Sequence, residues 1–144
     1  MFKGSCLCDS VRFHVSISSA KVYQCFCSLC RKASGSQSNS AFIVSENSFS
    51  WDCDQSTITS FVKPTGFRAD FCATCGSPVP NMLRNRPFFW IPAGLMDDKF
   101  SAKITTQIYV PINPDWTVIN DGVTRLTSMP GMDEFILEMQ SVDA

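Results

Sequence analysis

The sequence predicts an all-β domain built from many short strands, and three observations carry that prediction. Alternating apolar and polar residues recur along the chain, first in Val11-Arg-Phe-His-Val-Ser-Ile17, where the period of two is that of a half-buried strand. Eight prolines, most of them in the second half, interrupt any long helix. β-Branched and aromatic residues gather in runs such as Phe88–Ile91 and Ile104–Val110, as strands require. The length of 144 residues is that of a single domain, 1–144, large enough for a real core.

Taken in order, the first strand puts Val11, Phe13, Val15 and Ile17 on one face, with Arg12 and the lone His14 on the other, solvated and outside any site. Residues 20–24 form a short strand that delivers the chain to Cys25. Arg31 to Ser34 predict a turn of helix that Gly35 ends in a left-handed conformation. Ser34 to Ser40 is small and polar, a surface loop whose side chains offer neutral hydrogen-bond donors beside the cysteines. Ala41–Ser45, Phe49–Trp51 and Thr57–Lys63 read as strands, Pro64-Thr-Gly66 as a turn, and Phe67–Phe71 as the approach to a second cysteine knuckle. Asp133–Gln140 predicts a terminal helix with Asp133 as its cap. Phe71, Phe88, Phe89, Trp90 and Trp116 are candidates either for the core or for the lining of a ligand cleft.

Composition narrows the function. Twelve Lys and Arg against thirteen Asp and Glu give a net charge of -1, so there is no broad attraction for nucleic acid or an anionic membrane. The N-terminus lacks an apolar signal region and no apolar run is long enough to cross a bilayer, so a cytoplasmic protein is expected. There thiols stay reduced, and eight cysteines point to metal rather than to a disulfide framework.

Seven of those cysteines fall in three tight clusters: Cys6-Leu-Cys8, Cys25-Phe-Cys27-Ser-Leu-Cys30, and Cys72-Ala-Thr-Cys75 followed by Gly76. A structural zinc site is closed by four protein ligands, whereas a reactive one keeps three and leaves a position open. The seven thiols divide accordingly, Cys6, Cys8, Cys72 and Cys75 as a closed set and Cys25, Cys27 and Cys30 as an open one. Cys53, between Asp52 and Asp54, is an alternative eighth ligand that would leave no open position. Ferredoxin spacings are absent, which favours zinc over an iron–sulfur cluster.

Gly4-Ser-Cys6-Leu-Cys8, Cys25-Phe-Cys27-Ser-Leu-Cys30-Arg-Lys-Ala-Ser-Gly35 and Phe71-Cys72-Ala-Thr-Cys75-Gly-Ser77 resemble the three motifs of the glutathione-dependent formaldehyde-activating enzyme family, also called the centromere protein V domain family. Ala93-Gly94-Leu95 with Asp97, and Trp116 with Asp121, add weaker echoes. The resemblance implies a β-tent fold, a structural zinc on Cys6, Cys8, Cys72 and Cys75, and an active-site zinc on Cys25, Cys27 and Cys30. The activity it implies is carbon–sulfur bond formation or cleavage, as in adding glutathione to formaldehyde. Arg31 and Lys32, beside the triplet, are then candidates to hold a carboxylate of the thiol ligand. Where many members carry His between the first two cysteines of the triplet this chain has Phe26, and Leu29 stands where an acidic residue is often seen. The rival expectation is a non-catalytic zinc domain of the same fold that binds a protein or a small ligand.

Overall fold

A computed structural model describes residues 1–144. Short strands dominate: β1 (Phe2–Ser5), β2 (Arg12–Val15), β3 (Ile17–Cys25), β4 (Asn39–Ser45), β5 (Phe49–Trp51), β6 (Ile58–Val62), β7 (Arg68–Cys72), β8 (Asn81–Met82), β9 (Phe88–Pro92), β10 (Ala102–Ile108), β11 (Thr124–Leu126) and β12 (Val142–Asp143). Two helices, α1 (Ser28–Ser34) and α2 (Met132–Met139), complete the regular structure. The all-β expectation holds.

The strands form three sheets. β1, β2 and β5 make an antiparallel sheet in that order, and β6 pairs only with β7. The largest runs β11-β10-β3-β4-β9-β8, with β12 added alongside β3. Its pairings are antiparallel except that β10 lies parallel to both β3 and β11. A parallel neighbour needs a long crossover, and here all the chain from α1 to β9 lies between β3 and β10.

The alternation read along Val11–Ile17 is realised: Val11, Phe13, Val15 and Ile17 are all buried, while Arg12 is exposed. Phe13, Val15 and Ile17 join Phe42, Val44, Phe49 and Ile91 in one core. A second core gathers Tyr23, Cys25, Cys30, Ile43 and Ile108 under α2, whose Phe135, Ile136 and Met139 are buried. Phe135 meets Tyr23 edge-on, with ring centroids 4.9 Å apart. The third is small: Cys6, Val11, Cys72 and Val79.

Several expectations need revision. The helix after the triplet begins at Ser28 and so includes Cys30, but Gly35 ends it as expected, at φ 63° and ψ 26°. The polar stretch 34–40 is a loop only in part: Ser38 is buried, and Asn39 and Ser40 open β4, because pairing with β3 supplies backbone partners that the side chains do not advertise. α2 begins one residue earlier than expected and its cap is Gly131, which makes no side-chain bond. Asp133 instead lies in the first turn, where its charge suits the helix dipole, and pairs with Arg86 at 2.7 Å. His14 is not free in solvent, since its Nδ1 lies 2.8 Å from an Asp52 carboxylate oxygen. Trp116 is exposed.

Gly4 pairs with Phe13 across β1 and β2, and a Cβ there would lie closer to the Phe13 Cζ than van der Waals contact permits. That ring is buried against Phe49 and Trp51 and has no room to yield. Gly4→Ala is therefore expected to cost about 1–3 kcal/mol, read as a lower urea midpoint at unchanged slope. An unchanged midpoint would show that the ring relocates freely.

Candidate functional site

The three cysteine clusters fold into two groups. Cys6 and Cys8 come from the turn between β1 and β2, a turn closed by Cys6 N–H to the Val11 carbonyl and Asp9 N–H to the Cys6 carbonyl. Cys72 ends β7, and Gly76, at φ 76°, bends the chain so that its N–H reaches the Cys72 carbonyl and Cys75 turns back. The sulfurs of Cys6, Cys8, Cys72 and Cys75 consequently all lie within 4.8 Å of one another. Two of the separations are 3.7 Å, Cys6 to Cys8, and 3.8 Å, Cys8 to Cys72. A tetrahedral zinc with zinc–sulfur bonds of about 2.3 Å sets its sulfurs about 3.8 Å apart. The donor set and its spacing fit that ion.

Cys25, Cys27 and Cys30 make the second group, again with sulfurs within 4.8 Å. Cys25 is the last residue of β3, and Cys27 is the N-cap of α1, its sulfur accepting from the Cys30 N–H at 3.4 Å. Cys25 and Cys30 are buried and Cys27 is half-buried. Asn39, across the β3–β4 ladder from Cys25, donates its Nδ2–H to the Cys30 sulfur at 3.1 Å. Its Oδ1 is buried without a partner. Sequence reading missed Asn39 as an individual and had only the polar run that contains it. Phe26, the residue inside the triplet, is fully buried.

Without a cation these thiols cannot all ionise together. A hydrogen bond from Cys30 brings Cys25 down to about 7, and Cys30 is pushed far up by that same bond, by burial and by the charges of its neighbours. In the four-sulfur group the Ser77 hydroxyl pulls Cys75 down to about 5, whereas burial raises Cys6 to about 11. A divalent ion removes the repulsion and favours thiolate at every position, so the chemistry of both donor sets fits a metal.

Cys53 joins neither group. It packs beside the small third core, and its sulfur accepts from the Arg12 N–H at 3.2 Å.

A cavity of about 540 Å³ is lined by neighbours of both groups, Asn39 and Ser77 among them, though by none of the seven cysteines. Ala33, Ser34, Ser38, Asn39 and Ser40 wall one side of it; Phe67, Arg68, Phe71 and the Gly76–Pro78 turn wall another; Trp90 and Leu95 contribute from β9 and beyond. Asn39 thus touches both a triplet sulfur and the cavity. Ser77 stands at the other end, within 3.3 Å of the Cys75 sulfur. Trp90 reaches back from the wall, its Nε1–H donating at 2.7 Å to the hydroxyl of Tyr23, which burial and the nearby thiols hold protonated. Of the aromatic candidates, Phe71 and Trp90 line the cavity; Phe88 and Phe89 pack against the two large cores instead. Arg31 and Lys32 lie on α1 and outside the cavity wall, Arg31 half-buried with an unpartnered Nε and Lys32 exposed. No helix is long and apolar enough to cross a membrane.

An all-β domain with a convergent four-thiol set, a separate thiol triplet and a cavity lined by neighbours of both defines a class of small cysteine-centred domains suited to metal. The profile of the glutathione-dependent formaldehyde-activating enzyme family matches residues 1–111, and the chain belongs to that family. No curated protein matches the chain. A solved structure of a Rhodobacter sphaeroides protein shares the fold, with a TM-score of 0.55 at 20% identity over 70% of this chain and 99% of the other.

Two outcomes follow from the site geometry. Cys53→Ser should leave metal content unchanged, whereas Cys72→Ser should lose one equivalent and the cooperative melt with it; a wild-type melt for Cys72→Ser would deny the four-sulfur group its structural part. Asn39→Ala should weaken metal binding at the triplet by about 10- to 100-fold in chelator competition, without changing the four-sulfur group.

Proposed function

We propose that this chain is a zinc-dependent carbon–sulfur lyase that joins a glutathione-like thiol to a small electrophile such as formaldehyde, or splits the adduct. In this reading Cys25, Cys27 and Cys30 hold the reactive zinc, and Cys6, Cys8, Cys72 and Cys75 hold a structural one. The observation that carries it is the placement of a three-sulfur group, one donor short of a closed tetrahedron, beside a cavity whose wall residue Asn39 is bonded to one of those sulfurs.

In the reaction the thiol sulfur adds to the carbonyl carbon, the carbon–oxygen π electrons move to oxygen, and the proton lost from sulfur ends on that oxygen. The reverse direction breaks the same carbon–sulfur bond. A bound zinc supplies Lewis acidity, lowering the thiol's affinity for its proton or polarising the aldehyde oxygen. The chain's own contribution is positional. The Cys30 N–H fixes the Cys27 sulfur, and the Asn39 amide fixes that of Cys30. Buried Phe26, inside the triplet, and buried Phe135, packed from α2 into the same core as Cys25 and Cys30, help to keep this part of the molecule dry.

A second reading, a zinc domain that binds a ligand without turning it over, is favoured by one feature of the cavity. The only ionisable side chains in its wall are Arg68 and Asp70, and they are bonded to each other, so no side chain there is free to act as acid or base.

The two readings separate on zinc-loaded protein given glutathione and formaldehyde, with exchange between free and adduct thiol followed by NMR. Catalysed exchange that Cys27→Ser abolishes while its melt stays cooperative supports the lyase. Glutathione binding with no acceleration supports the binding domain, and unfolding of Cys27→Ser would make the triplet structural.

A further inference from the structure

We propose that β6 is an assembly edge, and that the strand it takes is β6 of a second copy of this chain, laid antiparallel across a two-fold axis at Ser60. The other sheet edges are short or taken. β5, β8, β11 and β12 have two or three residues each. β1 is covered by the bridge from Gly4 to Met96 and by the Asp97 N–H on the Lys3 carbonyl, and the far side of β7 by the returning chain, with Cys72 N–H on the Ser77 carbonyl and Val79 N–H on the Asp70 carbonyl. β6, five residues long, pairs with β7 and with nothing else. Its backbone is unspent on the other side. Lys63 N–H bonds to the Phe67 carbonyl and Ala73 N–H to the Thr57 carbonyl, so the odd-numbered residues turn their backbone groups to β7 and Ile58, Ser60 and Val62 turn theirs outward. Only the Ile58 N–H is used, by the Gln55 carbonyl.

An edge meant to stay in water is protected by a charge, a proline or a bulge. From Gln55 to Val62 the chain has neither charge nor proline, and the pairing with β7 runs without a shift of register. Phe61 and Val62 are 57% and 58% exposed, one on each face of the strand. A strand added to the edge covers both.

The pattern of β6 selects its own copy. A strand that pairs with itself must not set like charges opposite one another, and β6 has none to set. Ile58 and Val62 stand two places either side of Ser60, so the two-fold sets Ile58 of each copy against Val62 of the other and Thr59 against Phe61, pairs of the β-branched and aromatic kind that stabilise antiparallel strands. Lys63 then falls opposite Thr57 rather than opposite another lysine. Ser60 bonds to its counterpart, and each Val62 N–H meets the Ile58 carbonyl across the axis. Thr59 and Phe61 share a face with Ala69 and Phe71, which line the cavity, so the second copy extends that face of the hairpin. Contact through one strand per copy is small, and the dimer is accordingly concentration-dependent.

The test is sedimentation equilibrium of the zinc-loaded protein over a concentration series. Wild type should rise from the monomer mass of 16.0 kDa toward twice that value. Ser60→Pro, which removes an outward N–H and no bond to β7, and Val62→Lys, which charges the edge, should both stay at the monomer mass with metal content unchanged. Leu137→Lys, at an exposed apolar residue of α2, should still dimerise. In wild type the Ser60 and Val62 amides should exchange their hydrogens more slowly as concentration rises, a readout that decides the matter even if a variant fails to fold. A monomer at every concentration would overturn the proposal and leave the edge to a peptide of another protein. A dimer that survives both β6 substitutions, or whose Ser60 and Val62 amides exchange as in the monomer, would overturn it by placing the contact elsewhere.

Discussion

The structure depends on the meeting of four sulfurs from chain segments far apart in sequence. The two larger cores are filled with Phe, Ile, Val and Tyr, but the third has only Cys6, Val11, Cys72 and Val79 in its interior, and half of those are thiols. That is too little hydrocarbon to hold the β1–β2 turn against the β6–β7 hairpin, since each fully buried aliphatic side chain contributes only about 1.5–3 kcal/mol. β6 and β7 pair with no other strand, so this junction has no continuous ladder to fall back on. Sulfur occupies the place where apolar packing runs out, and the β7 wall of the cavity, Arg68 to Phe71, stands on that junction.

The triplet is built by the opposite logic. Its sulfurs come from adjoining residues, and its surroundings come from the middle of the largest sheet, where β3 is flanked by β4 and β10. Phe26, inside the triplet, is apolar and fully buried, so the loop itself offers the sulfurs no polar side chain at that position. Asn39 supplies a hydrogen bond to the same cluster from the neighbouring strand. This polar support comes from the sheet, where backbone pairing of β4 with β3 holds it in register.

Much of this was legible in the sequence because it is local. Cysteine spacing names both sulfur groups, the period of two names Val11, Phe13, Val15 and Ile17, and Gly35 marks the end of α1. What escaped is non-local. β8, β11 and β12 have two or three residues each, too few to show a period, and exist only because a longer strand offers an edge. Asn39 reads as loop because its polarity is explained by a sulfur nine residues away. Arg68 and Asp70 look like ordinary strand polarity until the knuckle beside them is seen to close a cavity. Arg31 and Lys32 adjoin the triplet in sequence, and it is the next two residues of α1, Ala33 and Ser34, that line the cavity.

The contrast in sequence span between the two sulfur groups also sets an order of events during folding. Cys25, Cys27 and Cys30 can converge as soon as one turn of α1 forms, whereas Cys8 and Cys72 are separated by 64 positions and meet only after β2 to β7 have been laid down. Closing a loop of that length carries an entropic cost that a six-residue segment largely avoids, and long-range pairing of this kind is slow. A divalent ion offered to the nascent chain thus meets the triplet first and the four-sulfur set last. The set with the larger number of donors is the latecomer, and scarcity of metal would be felt there as a failure to finish folding.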